Sequence, residues 1–273
     1  MLTSWNKFCF TTGYIEVNVS LPGSGAVAGL WPGVWTMGNL GRAGYGATTE
    51  GTWPYSYDTC DLGSFPSQMD KQGNPSSSLT DGWQGGQLSN LPGQRLSACT
   101  CPGSDHPGPS VGNGRGAPEL DILEAQVDRS LANGEVSQSF QVAPFNANVT
   151  FDKSSPPTTI YNSDITQFNS FSGTSLQQSV SAVTLVDNAN YNNSGYATYG
   201  IEYWSDMSKR QDGYITWFSQ GQKSWTLTSP SIGPDAVSQV DQRLVPEEPM
   251  VRIQYQNVFE YSHQANNCKS ILF

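Results

Sequence analysis

The sequence is poor in charge and contains only two histidines. Asp, Glu, Lys and Arg make up 13% of its 273 residues, about half the share that is usual in globular proteins. Thirteen basic residues stand against 23 acidic ones, which gives a net charge of −10. Because a negative protein surface repels phosphate groups, this balance argues against nucleic acid and against anionic membrane surfaces as partners.

Long apolar runs and helical periodicity are also missing. No run of about 18 apolar residues occurs, so no segment predicts a transmembrane helix, and residues 1–25 hold no unbroken apolar run of signal-peptide length. No segment sustains the charged 3.5- or 3.6-residue pattern of coiled coils and helical bundles, which excludes an all-α protein. The chain is instead rich in Gly (28) and Pro (17), and 11% of it is aromatic, a composition typical of turn-rich β-proteins.

Alternating apolar and polar residues predict a series of β-strands. The predicted strands cover residues 14–21, 30–37, 119–127, 135–142, 198–204, 214–219 and 223–227. A turn-like segment at 205–213 indicates a hairpin. Residues 38–117 and 146–181 show no periodicity, and the first of these is too long for a simple connection. The pattern indicates one antiparallel β-domain with two long insertions.

The carboxylates concentrate in one predicted strand, which reads Glu119-Leu-Asp121-Ile-Leu-Glu124. On a regular strand Glu119 and Asp121 share a face and Glu124 points to the opposite one. One β-bulge near Ile122 or Leu123 would return Glu124 to the shared face, and we predict outer carboxyls about 5 to 7 Å apart. Such a pair suits a retaining glycosidase. The alternatives are an edge strand with solvated acids and a calcium ladder.

Longer motifs carry a resemblance to a known family. They include Ser4-Trp-Asn-Lys-Phe-Cys9, Gly29-Leu-Trp31-Pro-Gly-Val-Trp35-Thr-Met-Gly38, Trp53-Pro-Tyr-Ser-Tyr-Asp-Thr-Cys60, Glu119-Leu-Asp121-Ile-Leu-Glu124, Tyr199-Gly-Ile-Glu202-Tyr-Trp204 and Val245-Pro-Glu-Glu-Pro-Met250. Together they resemble glycoside hydrolase family 16, the laminarinase-like β-glucanases. Within that family the match is closer to the fungal β-glucan synthesis-associated proteins.

The resemblance implies an all-β, concanavalin A-like jelly-roll sandwich of two antiparallel sheets over residues 1–250, with insertions at about 38–117 and 146–181. By match to the motif, Glu119 takes the nucleophile position, Glu124 the acid/base position and Asp121 that of the helper.

The implied function is that of a retaining β-glucan hydrolase or transglycosylase in fungal cell-wall β-1,6-glucan biosynthesis. Its partner would be β-glucan or a related oligosaccharide, and it would need no cofactor and no metal ion. The alternatives are a catalytically silent glucan-binding or chaperone-like module, and a truncated product without function.

The family also implies a place in the secretory pathway, with a membrane anchor in the endoplasmic reticulum, the Golgi or the plasma membrane. Compared with the family, the chain is expected to start inside the sandwich, without the anchor-bearing segment. Residues 251–273 are expected to form an atypical tail, which would leave the sandwich incomplete at both ends.

Three residues are predicted to contact sugar. Trp35 is the leading stacking platform, since indole rings suit the flat C–H faces of sugars, and Trp31, Trp204 and Trp217 are weaker candidates. Asn39 is a predicted polar contact just beyond Trp35. Gln138 stands where many laminarinase-like relatives carry His and is predicted to contact the acceptor sugar. Aromatic residues of the first insertion, Trp53 among them, are interpreted as a lid or as the insertion's own core.

The five cysteines are too few for a disulfide-dense scaffold, but three sequons suggest an oxidising route. We predict a disulfide from Cys60 to Cys99 or Cys101 that staples the first insertion, whereas a zinc site of these cysteines with His106 is disfavoured by their spacing. The glycosylation candidates are Asn18, Asn148 and Asn192.

Overall fold

Strands form most of the regular structure. The computed structural model describes residues 2–5, 7–41, 53–62, 66–91, 102–103, 110, 112–206 and 208–258. The strands are β1 (Leu2–Thr3), β2 (Gly13–Val19), β3 (Leu30–Gly38), β4 (Glu119–Asp128), β5 (Asn133–Val142), β6 (Thr158–Ile160), β7 (Thr166–Phe168), β8 (Gln178–Leu185), β9 (Ala197–Trp204), β10 (Tyr214–Ser219), β11 (Gln222–Thr228) and β12 (Met250–Val258). Short 3₁₀ helices span Asn39–Gly41, Pro66–Gln68, Ser76–Leu79, Trp83–Gly85, Ala147–Val149, Asn188–Asn190, Arg210–Asp212 and Ser229–Ile232. Within these ranges no helix is long and apolar enough to cross a membrane.

The strands form two antiparallel sheets. One sheet has seven strands in the order β1-β12-β3-β4-β5-β8-β7, and the other has five in the order β2-β9-β10-β11-β6. One hydrophobic core unites buried side chains of both sheets, such as Leu120 and Phe140 with Ile201 and Trp217. The predicted all-β sandwich of two antiparallel sheets is therefore confirmed.

Each strand predicted from alternation is present, with bounds that differ by at most two residues. In β2, for example, Val17 is buried while Glu16 and Asn18 on either side are exposed. The predicted hairpin is also confirmed, because β9 and β10 pair antiparallel on either side of residues 205–213.

Residues 146–181 are more regular than predicted. The short strands β6 and β7 extend the edges of the two sheets, and β8 begins at Gln178 as a full member of the seven-stranded sheet. Seven of the eight residues of β8 are buried, so both of its faces are covered. A strand covered on both faces shows no apolar/polar alternation, which is why the pattern did not reveal it.

The expectation of an atypical tail is wrong for residues 251–258. Strand β12 pairs with β3 along its whole length and with β1 on its other side. Its sequence alternates Val251 and Ile253, both buried, with the half-buried Arg252 and Gln254. This alternation is an ordinary strand signal, which comparison with family motifs alone overlooked.

The first insertion packs in a second, smaller core that it shares with later parts of the chain. The members of this core are Tyr55, Tyr57, Leu88, Leu91, Ala143, Phe145, Val149 and Val240. Tyr55 is 1% exposed and forms a β-bridge with Ala143, immediately beyond the end of β5. Gly116 passes so close to this segment that a Cβ atom there would lie 2.0 Å from the Tyr55 carbonyl oxygen. The packing therefore fixes the insertion against the end of the seven-stranded sheet from which β4 starts.

Candidate active site

Strand β4 contains the predicted bulge. Asp121 pairs with Ser139 of β5, and Glu124 pairs with Ser137. The two carboxylate residues are three positions apart in β4, whereas their partners are only two positions apart in β5. The same shift appears towards β3, where Trp35 faces Asp121 and Gly33 faces Glu124. The extra residue returns Glu124 to the face of Glu119 and Asp121. We call the face that carries these three carboxyls the acidic face.

Polar residues of β5 complete the acidic face. Asp121 is 2% exposed and accepts hydrogen bonds from the Ser139 hydroxyl (2.7 Å) and the Gln141 amide (2.9 Å). Ser137, Ser139 and Gln141 alternate along β5 and therefore point to one side. Strand parity places these residues on one face of β5, but the sequence analysis did not single them out as partners of Asp121.

The first insertion contributes a direct contact to this face. The indole N–H of Trp53 donates a hydrogen bond to Glu119 Oε2. Trp53 lies two residues before Tyr55, whose packing holds the segment beside the start of β4. Because Trp53 belongs to an aperiodic stretch, no local pattern in the sequence connects it with Glu119.

The three carboxyls perturb one another. Burial raises the pKa of Glu119 well above its ordinary value, the charge of Asp121 and a hydrogen bond to Asp121 raise it further, and the Trp53 hydrogen bond opposes the rise. Burial also raises the pKa of Asp121, while hydrogen bonds from Gln141 and Ser139 and the one to Glu119 oppose that effect. Asp121 is thus the carboxyl whose negative charge is best supported by hydrogen bonds.

Glu124 has a different environment. Burial and then the charge of Asp121 raise its pKa well above the ordinary value. The neutral, protonated form of Glu124 is therefore favoured at higher pH than for a solvated glutamate. A protonated carboxyl next to ionisable ones is the arrangement that general acid catalysis needs.

Trp35 lies beside these carboxyls. It is half-buried and directly opposite Asp121 in the neighbouring strand, so both side chains stand on the acidic face. Its indole nitrogen has no hydrogen-bond partner among the described residues. Asn39 follows the end of β3, and its backbone N–H bonds to the Pro249 carbonyl at 2.8 Å. The roles of Trp35 and Asn39 in binding sugar stay predictions.

Gln138 is not on the acidic face, and its predicted contact with an acceptor sugar is wrong. The residue is 0% exposed, and its amide bonds to the Ile122 carbonyl (2.8 Å) and to the Phe218 carbonyl of the other sheet (3.0 Å). Its neighbours Ser137 and Ser139 face the carboxyls, so alternation turns Gln138 inward. Trp217 is likewise excluded as a platform, because it is 0% exposed in the core.

The remaining candidates lie away from the acidic face or outside the described residues. Cys60 is disulfide-bonded, but Cys99, Cys101 and His106 lie outside the described residues, so the pairing stays a prediction. The sequon residues Asn18, Asn148 and Asn192 are exposed, and their glycosylation also stays a prediction. In the part of the chain that the structure describes, no group of His, Cys, Asp or Glu side chains could hold a metal ion.

The fold has distant likenesses among solved structures. The κ-carrageenase from Pseudoalteromonas carrageenovora, solved in complex with an oligotetrasaccharide of κ-carrageenan, aligns over 95% of this chain and 55% of its own chain. The sequence identity is 9% and the TM-score is 0.36.

Sequence comparison gives closer relatives. The beta-glucan synthesis-associated proteins KRE6 and SKN1 of Saccharomyces cerevisiae are 42% and 43% identical to this chain over 254 and 257 residues. SKN1 of Candida albicans is 41% identical over 254 residues. The matches cover 92%, 93% and 92% of this chain but 32%, 30% and 31% of those proteins, so the chain spans about a third of their length. The profile of the family described as "Beta-glucan synthesis-associated protein SKN1/KRE6/Sbg1" matches residues 1–272. The chain therefore belongs to this family of beta-glucan synthesis-associated proteins.

Proposed function

We propose that this chain is a retaining glycosidase-type domain that cleaves a β-glucan and transfers the released glycosyl group to water or to another sugar. The observation that carries the proposal is the bulge in β4, which brings Glu124 to the face of Glu119 and Asp121. Two carboxyls on one face, one to act as nucleophile and one as acid and base, are the machinery that double displacement requires. The family membership supports glucan as the substrate class.

In the first step Glu119 acts as the nucleophile. Glu119 and Asp121 share a hydrogen bond that favours the proton on Glu119, so Glu119 attacks in the form from which that proton has been lost to solvent. The Trp53 N–H then stabilises the Glu119 carboxylate. One Glu119 oxygen forms a bond to the anomeric carbon as the bond from that carbon to the glycosidic oxygen breaks.

Glu124 acts as the acid in this step and as the base in the next. Its proton moves to the departing glycosidic oxygen, which leaves as a hydroxyl and leaves Glu124 ionised. An incoming O–H group then gives its proton to Glu124 as its oxygen attacks the anomeric carbon, and Glu119 departs as a carboxylate. Both carboxyls return to their starting states, so the cycle needs no cofactor.

Water and a sugar hydroxyl are equivalent attackers in this scheme. With water the outcome is hydrolysis, and with a sugar hydroxyl it is transglycosylation. The relatives are named for β-glucan synthesis. We therefore propose transfer as the biological reaction, in the synthesis of cell-wall β-1,6-glucan, by a protein of the secretory pathway that is membrane-anchored in its full-length form.

The experiment is turnover of β-1,3- and β-1,6-linked glucan oligosaccharides, with an isotopically labelled acceptor and mass spectrometry of the products. Wild type is expected to produce labelled transfer products with retained anomeric configuration. Glu119→Gln should abolish turnover. The matched control is Glu202→Gln, which changes a carboxylate of β9 that accepts a hydrogen bond from Tyr214 at 2.8 Å in the five-stranded sheet, and it should keep activity.

Two results would contradict the proposal. Equal activity of wild type and Glu119→Gln would remove Glu119 from the mechanism. Glucan binding without turnover by the wild type would favour the catalytically silent module instead.

A further inference from the structure

The bulge in β4 lies opposite a fully buried amide side chain. Ile122 and Leu123 together oppose the single residue Gln138 of β5. The Gln138 amide nitrogen lies 2.8 Å from the Ile122 carbonyl oxygen, within the bulge. The preceding carbonyl, that of Asp121, accepts the indole N–H of Trp217 at 2.9 Å. Two successive carbonyls of the bulge are thus bonded to side chains.

A second bulge faces the first across the sandwich. In the pairing of β10 with β11, Trp217 pairs with Trp225 and Phe218 with Lys223, which makes Ser224 the extra residue. The Ser224 hydroxyl lies 2.6 Å from Gln138 Oε1 and 3.1 Å from the Trp217 carbonyl oxygen. The Gln138 amide nitrogen also bonds to the Phe218 carbonyl at 3.0 Å. Gln138 therefore connects the irregular points of the two sheets.

We propose that Gln138 is a positioning residue, which holds the β4 bulge in register and thereby directs the Glu124 carboxyl towards Glu119. The inference rests on the proposed function, since it names the residue that would orient the acid/base. A strand whose register shifts by one residue turns its side chains to the other face, so Glu124 depends on the bulge. Gln138 favours the bulged form because the regular form would take the Ile122 carbonyl away from its buried amide, which the bonds to Ser224 and Phe218 hold in place.

The test replaces Gln138 with Met, an apolar side chain of similar length that cannot donate a hydrogen bond. We expect kcat to fall by about tenfold or more with KM changed less than about twofold, because a small misplacement of a catalytic group affects the chemical step. The basic limb of the pH profile should shift to lower pH as Glu124 moves away from Asp121. The matched control is Val180→Ala, which opens a cavity at a 0%-exposed core position of β8, two strands away from β4 in the same sheet.

A comparison at equal stability decides the role of Gln138. If Gln138→Met and Val180→Ala lower the melting temperature similarly and only Gln138→Met loses kcat, the positioning role is supported. If both variants keep kcat, or both lose it to the same extent, Gln138 is a packing residue and the inference is wrong. If Gln138→Met does not fold, Ser224→Ala breaks the same link from the other sheet. We expect this variant to lose kcat as well, but to a smaller extent. An unchanged kcat in Ser224→Ala would overturn the inference.

A readout independent of turnover separates this inference from the proposed function. Carbon-detected NMR of labelled glutamate follows the titration of the Glu124 carboxyl, assigned with Glu124→Gln. We expect its pKa to fall in Gln138→Met and to stay at the wild-type value in Val180→Ala. If wild type turns over no glucan but the Glu124 pKa falls as expected, the proposed function fails and the structural link stands. An unchanged Glu124 pKa in Gln138→Met would overturn the link itself.

Discussion

The indole N–H of Trp53 donates a hydrogen bond to Glu119, although the two residues are 66 positions apart in the sequence. Trp53 is part of an insertion, and Glu119 is the first residue of a central strand. The insertion is therefore part of the acidic face and adds a hydrogen bond that lowers the pKa of a carboxyl which burial and Asp121 raise.

Trp53→Phe is expected to shift the pH dependence of turnover. The change keeps an aromatic ring but removes the N–H that opposes the raised pKa of Glu119. Loss of one hydrogen bond to a charged group corresponds to about one pKa unit, so the acidic limb of the kcat/KM profile should move up by about one pH unit. Trp83→Phe, at a 61%-exposed position of the same insertion, is the control and should leave the profile in place. An equal shift in both variants would contradict the role of Trp53.

Glu124→Gln is expected to stabilise the fold at neutral pH. The pKa of Glu124 is raised in the folded state above its ordinary value of 4.5. Its contribution to stability is complete below that ordinary pKa and is lost as the pH rises through the folded-state pKa. The variant should therefore gain unfolding free energy at pH 7 and nothing near pH 4, as measured by urea unfolding. A gain that does not depend on pH would show that the Glu124 charge is not its cause.

Arg243→Met is expected to destabilise the protein by about 2 to 4 kcal/mol. Arg243 is 0% exposed and donates hydrogen bonds to Gln178 Oε1 (2.6 Å) and to the carbonyls of Ile232 (3.3 Å) and Pro144 (3.4 Å). Removing a buried charge is favourable by itself, but the carbonyls of two buried segments would lose a donor, and that cost dominates. Arg252→Met, at a half-buried position of β12, is the control with an expected loss below about 1 kcal/mol. Equal losses in the two variants in urea unfolding would refute this expectation.

A peptide map without reduction is expected to link Cys60 to Cys99 or Cys101. Cys60 is disulfide-bonded, whereas Cys9 is free and exposed. Cys9 should therefore react with iodoacetamide in the native protein, and Cys60 only after reduction. Recovery of Cys60 as a free thiol, or in a peptide joined to Cys268, would exclude the predicted pairing.

Local periodicity accounts for the parts of the fold that the sequence alone predicted. Side chains alternate along a strand because of its backbone geometry, so a half-buried strand such as β2 is visible in the sequence. The same rule makes the five-residue separation of Glu119 and Glu124 odd, and a bulge is the simplest way for both to share a face. The bulge was predictable because its signal, the spacing of the carboxyls, lies within one strand.

Long-range packing decided the rest. Alternation divides β5 into two faces but does not say which face the other sheet covers, and so Gln138 was assigned to sugar while Ser139 and Gln141 were overlooked. Strand β8 has no alternation because both of its faces are covered. The contact between Trp53 and Glu119 arises from the packing of an aperiodic insertion in a second core, where no repeating backbone geometry relates sequence position to direction. Which groups surround Glu119, Asp121 and Glu124, and hence how each carboxyl ionises, follows from the meeting of segments distant in the chain and not from the acidic strand itself.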